Sequence, residues 1–271
     1  MGRKGLCMSK LPISVIVPFN HKDSWLFENY CLPAIEQNNP EEIIVVNNDS
    51  TRGAKINEGF EKSRCEYVFI ADSNSCPCVN LLSRMMDILT KTEGNPSHLN
   101  FSFVYSDFWA IKTNCHAEFS IKDGAKKFFT QEFDWEFYTN FYADLRGWSR
   151  EDAYRHWIRN GKLEGRKGSP ASHASFFVKN RYFSRMALEE NSYLESQALI
   201  KRDAFKSYDE DLKCLEDWDF WLNVTSDGTF GMYITDIYPL CIRFFNNIEH
   251  SIKDDSYWGQ EESFIRERHG I

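Results

Sequence analysis

A chain of 271 residues that is 42% apolar and 15% aromatic can bury a sizeable core, and it reads as one globular domain over residues 1–271. Its formal net charge of −8 argues against a nucleic-acid backbone as the partner of the whole surface, while a small anionic ligand at a local basic patch stays possible. No stretch reaches the roughly 18–20 consecutive apolar residues of a membrane span, so a cytoplasmic protein with at most peripheral membrane contact is expected.

The basic opening Met1-Gly2-Arg3-Lys4 is followed by the short apolar run Ile13 to Phe19, which ends in Asn20-His21-Lys22-Asp23. That pattern predicts a buried strand, not a signal peptide, and Leu6 stands where a myristoylation pattern needs Ser or Thr. The eight cysteines include no CxxC pair and no metal-finger spacing, which favours free thiols in a reducing compartment.

Ile13-Ser14-Val15-Ile16-Val17-Pro18 predicts a strand buried on both faces, with a helix from about Ser24 to Gln37. Glu42 to Asp49 repeats the strand pattern and ends in Asn47-Asn48-Asp49-Ser50, where a parallel strand delivers ligand-binding groups. A second helix is expected from about Gly53 to Ser63, a third strand over Tyr67 to Asp72, and helical spacing over Leu81 to Thr90. Alternation of strand and helix implies a mostly parallel sheet with helices on its faces, and ligands bind such sheets at the carboxyl ends of the strands. No glycine-rich dinucleotide fingerprint or Walker A sequence is present, so a diphosphate needs another holder, and a divalent cation clamped by carboxylates is one.

Between about Gln131 and Gly168 the chain is rich in aromatics. Ala153, Tyr154, Trp157 and Ile158 have the spacing of an amphipathic helix that ends at Gly161. Nearer the C-terminus, Glu216-Asp217 opens an apolar stripe, Trp218, Trp221, Leu222 and Thr225, at helical spacing. The two tryptophans either pack in the core or stack on a sugar ring. The carboxylate pair either favours the helix dipole or supplies a base.

The blocks Ile13 to Asn20, Ile43 to Thr51, Phe69 to Leu82 and Leu199 to Leu222, in this order and spacing, resemble family 2 glycosyltransferases. The resemblance implies the α/β GT-A fold, a Rossmann-like mostly parallel sheet flanked by helices. It implies an inverting transfer of a sugar from a nucleotide-diphosphate sugar, by default a UDP-sugar, to a hydroxyl of a glycan or glycoconjugate. By position Asp217 is the general base and Glu216 its companion, while Pro18, Phe19, Asn20, Asn47, Asn48, Asp72, Asp107 and Arg243 are donor-binding.

Two departures stand out. Asn47 and Asn48 occupy the places of two aspartates, where an amide can still hydrogen-bond a base edge or simply close an Asx turn. In the metal motif Asp72 is kept but Asn74 replaces the second aspartate, leaving Asp72, Asn74 and His250 as a weakened set for Mn2+ or Mg2+. Asp72 alternatively holds ribose hydroxyls, and Arg243 and Lys253 add contacts to phosphate. The segment 131–168 resembles a small helical insertion found beside glycosyltransferases of some bacteria and large viruses. The asparagines also keep open a catalytically silent nucleotide-sugar or glycan-binding protein. A nucleotidyltransferase shares the broad α/β plan, but the glycine-rich, basic loop it needs for a triphosphate is missing after Val17.

Overall fold

The computed structural model describes residues 9–92, 100–112, 133–166, 168, 175–178, 180–235, 240–245 and 255–271. In chain order the elements are β1 (Leu11–Pro18), a helical run over 21–36 (α1), β2 (Pro40–Val46), α2 (Arg52–Lys62), β3 (Tyr67–Ile70), β4 (Ser75–Pro77) and α3 (Leu81–Thr92). There follow β5 (Asn100–Ser106), β6 (Phe108–Lys112), α4 (Trp135–Phe141), α5 (Arg150–His156), β7 (Ser175–Val178), α6 (Arg185–Glu190) and β8 (Ala198–Lys201). The last are α7 (Glu216–Val224), β9 (Thr229–Ile234), β10 (Cys241–Phe245) and α8 (Asp255–His269). These elements form two compact units, one of residues 1–106, 180–234 and 253–271, the other of 107–179 and 235–252.

The first unit is a mixed α/β layer structure around a six-stranded sheet of order β2-β1-β3-β8-β5-β9. β2, β1 and β3 pair in parallel, β5 and β9 pair in parallel, and β8 runs against both of its neighbours. The β-branched run of β1 takes an inner position between β2 and β3, where its side chains are buried from Ile13 through Val17. α1 begins as a single 3-10 turn at His21–Asp23, where Asn20 accepts from the Lys22 amide, and carries a π turn over Phe27–Cys31. β2 stops at Val46, three residues before the end expected from its sequence, because Asn47 onward leaves the ladder to form a polar turn. α2 starts where the Thr51 side chain accepts from the Ala54 amide, a conventional N-cap.

Helix α2 approaches β1 so closely that a methyl group on Gly59 would lie 2.4 Å from Ile16 Cγ2. Ile16 is fully buried within a core that includes Ile56, Val68, Phe103, Trp218 and Trp221. All six cysteines among the described residues that the structure places are free thiols.

In the second unit β6 pairs with β10 in parallel and with β7 antiparallel. Its helical module starts α4 with Asp134 accepting from the Phe137 amide and α5 with Ser149 accepting from the Asp152 amide. Tyr138, Leu145, Ala153 and Trp157 form a core of their own, with Phe133, Trp135 and Tyr142 packed against it. The aromatics of this segment therefore serve largely as packing. A helical turn of π type over Trp157–Gly161 follows α5, and Gly161 is required there because a methyl group would meet the Tyr138 hydroxyl. A cavity of about 710 Å³ opens on this module, lined in part by Trp148, Asp152, Arg155, His156 and Arg159.

The Gly59→Ala substitution should lower the free energy of unfolding by about 1–3 kcal/mol, the usual cost of overpacking a tight helix–strand contact. Urea denaturation measures this, and an unchanged midpoint would show that the contact with Ile16 is not tight.

Candidate functional site

The carboxyl ends of the three adjacent parallel strands bring together residues far apart in sequence. Pro18, Phe19 and Asn20 leave β1, Asn47 and Asn48 leave β2, and Asp72 follows β3. The Phe19 amide donates to Val46 O at 3.0 Å and the Ala71 amide to Ile16 O at 2.9 Å, so the three ends are tied by main-chain bonds. Lys55 Nζ reaches Phe19 O at 2.9 Å from α2, and the Asn20 amide donates to Ser73 Oγ at 3.3 Å. Asn48 closes an Asx turn, accepting from the Ser50 amide at 3.1 Å, while its amide donates to Glu58 Oε2 at 2.7 Å. Asn47 and Asn48 are exposed.

Arg52, the first residue of α2, is the hub of the site. Its Nε donates to Asp72 Oδ1 at 2.9 Å, and its Nη1 donates to both Glu216 Oε1 and Asp217 Oδ1 at 3.0 Å. Its Nη2 donates to Ser196 Oγ, on the segment that enters β8. The antiparallel direction of β8 puts the start of that strand beside the carboxyl end of β3, which is why Ser196 and Gln197 can take part. Gln197 Nε2 donates to Ser75 Oγ in the same region. Sequence reasoning did not single out Arg52. The signal was a lone cation directly after the polar turn that follows β2, at the start of a helix.

The Glu216-Asp217 pair lies in the first turn of α7, where the helix dipole favours anions. The Leu215 side chain offers no cap. Glu261 of α8 holds the turn just before the helix, accepting from the amides of Lys213, Cys214 and Leu215 at 2.9, 3.1 and 3.2 Å. The last turn of α8 grips the same helix further along, since Arg268 and His269 both reach the buried Asp219, at 3.2 and 2.8 Å. Arg268 also pairs with Asp209 at 2.6 Å. The sequence reading had no role for Glu261, Arg268 or His269, because nothing local to a C-terminal helix says which loop it will hold. Trp218 and Trp221 are buried, with their indole N–H groups donating to Leu188 O and Glu195 O, so they anchor α7 in the core instead of facing a sugar.

Three carboxylates share one guanidinium. Burial works to lower the Arg52 pKa, but Asp217, Asp72 and Glu216 together hold it well above its ordinary value. Asp217 moves the other way for a carboxylate: burial pushes its pKa up to about 7, Arg52 opposes that rise, and Glu216 and Asp72 add to it. Charge balance adds to the effect of burial, since a single positive charge cannot offset three negative ones. Asp217 stays 21% exposed in its side chain, so solvent reaches it. Tyr208 donates its hydroxyl to Asp217 Oδ1 at 3.1 Å, and burial together with Asp217 holds that phenol well above its ordinary value.

The other expected site residues are Asp107, Arg243, His250, Lys253 and Asn74. Asp107 and Arg243 belong to the second unit, where Asp107 accepts from Thr235 Oγ1 at 2.8 Å and Arg243 lies in β10 opposite Ala110. His250 and Lys253 lie outside the described residues. Asn74 is buried beside Asp72, and Asp72 Oδ1 is already bonded to Arg52. Among the described residues no group of three His, Cys, Asp or Glu side chains is arranged to hold a metal ion, and no helix there is long and apolar enough to cross a membrane.

No protein-family model and no curated protein matches this chain. Among solved structures it is similar to S. aureus TarS 1–349, with a TM-score of 0.49 and 9% identity over 88% of this chain and 60% of that one. It is similar also to a longer S. aureus TarS chain, with a TM-score of 0.48 and 10% identity over 88% of this chain and 37% of that one. TarS 1–349 in complex with UDP aligns with a TM-score of 0.44 and 11% identity over 88% of this chain and 61% of that one. The chain thus spans less than two thirds of each of these structures.

The raised Asp217 pKa carries a stability signature. Asp217 ionises near its ordinary value of 3.8 in the unfolded chain and at about 7 in the folded one, so its contribution is fully present below pH 3.8 and is lost as pH rises through 7. The Asp217→Asn variant has no such loss. Its melting temperature relative to the parent should climb between about pH 4 and pH 7 and level off above that range. A difference that stays flat across this range would show that Asp217 is not the group holding the late proton.

Proposed function

We propose that this chain is an inverting, nucleotide-sugar-dependent glycosyltransferase of GT-A type, with a UDP-sugar as its default donor and a hydroxyl of a glycan or glycoconjugate as its acceptor. The observation that carries this reading is the meeting of Asp72, Glu216 and Asp217 around Arg52 at the carboxyl ends of parallel strands, where α/β sheets bind ligands. Asp217 suits the role of general base. Its pKa of about 7 lies near the working pH, where a base both holds its charge for part of the time and has useful driving force. Its bonds to Arg52 and Tyr208 fall on Oδ1, which fixes the carboxylate and leaves Oδ2 for the acceptor.

In this reading the acceptor oxygen gives its proton to Asp217 as it bonds to the anomeric carbon. The bond from that carbon to the diphosphate breaks on the opposite face, which inverts the centre. Pro18, Phe19 and Asn20 with Asn47 and Asn48 border the base and ribose, and Asp72 meets the ribose hydroxyls.

Two measurements test the reading. A nucleoside diphosphate should raise the melting temperature by mass action, UDP first among UDP, GDP, TDP and CDP, and the absence of any shift would remove the donor assignment. Asp217→Asn should keep that shift and lower turnover of the donor about 10²–10⁴-fold, the span usual for a lost general base. Binding with no turnover in the parent protein would instead mark a silent nucleotide-sugar-binding protein.

A further inference from the structure

We propose that Arg52 is a built-in cation: its guanidinium stands between Asp72 and the Glu216-Asp217 pair in the place of a divalent metal ion, and the site binds a nucleoside diphosphate without one. The nucleotide part of this proposal rests on the transferase reading above. The charge substitution stands on the geometry alone.

Three observations support it. First, the guanidinium uses Nε, Nη1 and Nη2 at once, on Asp72, on Glu216 and Asp217, and on Ser196, so its position is fixed from all sides. A planar fork with several donors is suited to bridging carboxylates from separate segments, which a lysine could not do at the same distances. Second, a divalent ion bridging Asp72 to Glu216 or Asp217 would compete with Arg52 for the same oxygens. Hard cations hold carboxylate oxygens at roughly 2.0–2.6 Å, whereas Asp72 Oδ1, Glu216 Oε1 and Asp217 Oδ1 lie 2.9 to 3.0 Å from Arg52 nitrogens. Cation and guanidinium exclude one another.

Third, the residue two places beyond Asp72 is a buried amide, Asn74, and not another acid. Arg52 brings one positive charge where a metal ion brings two, so the site already carries more carboxylates than its cation can offset. A further buried aspartate would raise that excess, and burying unpaired charge is costly. Arginine at 52 and asparagine at 74 are thus two parts of one charge arrangement, read from separate turns of the chain.

The test uses the full chain and Mn2+ alone, followed by the electron paramagnetic resonance signal of the free ion. The parent protein should show no saturable binding. Arg52→Gln should gain saturable binding of one Mn2+ per chain and lose it again when Asp72→Asn is added. Saturable binding to the parent that Asp72→Asn abolishes would overturn the proposal, as would a folded Arg52→Gln that gains none. If Arg52→Gln does not fold, melting of the parent with UDP decides, in Mn2+ and in chelator: an equal shift in both supports the built-in cation and a shift that requires Mn2+ refutes it. If UDP gives no shift, the transferase reading falls, and the Mn2+ titration of the parent still decides the role of Arg52.

Discussion

One guanidinium shared by three carboxylates is the interaction on which the rest of the site depends. Arg52 joins the turn after β3, through Asp72, to the start of α7, through Glu216 and Asp217. Without it three partly buried acids would face one another, and their repulsion would drive α7 away from the sheet or force protons onto them. With it that repulsion is kept within bounds, and burial, aided by Glu216 and Asp72 and opposed by Arg52, leaves Asp217 with a pKa of about 7. The placement of one α2 residue thus decides how these charges meet.

That placement needs a rigid surround. The N-cap at Thr51 fixes the first turn of α2, and Thr51 Oγ1 also donates to Glu210 O at 2.9 Å, which ties this turn to the loop before α7. Asn57, two turns along α2, exchanges hydrogen bonds with the Tyr208 main chain at 2.8 and 3.0 Å. On the other side α8 closes the arrangement: Glu261 satisfies the amides before α7, Arg268 pairs with the buried Asp219, and His269 hydrogen-bonds it. Unpaired, that buried carboxylate would cost the fold several kcal/mol. The start of α7 is therefore held by α2 on one flank and by α8 on another, while Trp218 and Trp221 pin its apolar face. Precise placement of a first-turn carboxylate is what a general base requires.

Much of the fold was legible from local pattern. The β-branched run of β1, the repeat of that pattern in β2 and β3, and the intervening helices follow from periodicity alone, since burial on both faces of a central strand demands continuous apolar residues. The end of β2 was misplaced because Asn47 and Asn48 can continue a strand or turn out of it, and the choice went to the Asx turn with Ser50. The stripe Trp218, Trp221, Leu222 and Thr225 reported core packing correctly, because helical spacing of large apolar groups is a statement about one buried face.

By itself the sequence determined the strand and helix order, the polar strand ends and the acidic pair at the start of α7, all of which are encoded within a few residues of one another. Only the tertiary structure decided that Arg52 would meet Asp72, Glu216 and Asp217, since these contacts span 20, 164 and 165 residues of chain. The direction of β8, which carries Ser196 to the same place, and the reach of Glu261 to the loop before α7 were likewise decided there. The physical reason is common to all of them. Local pattern records which face of an element is apolar, whereas the pairing of charges depends on which elements the sheet order sets side by side, and on the cost of burying any charge that finds no partner.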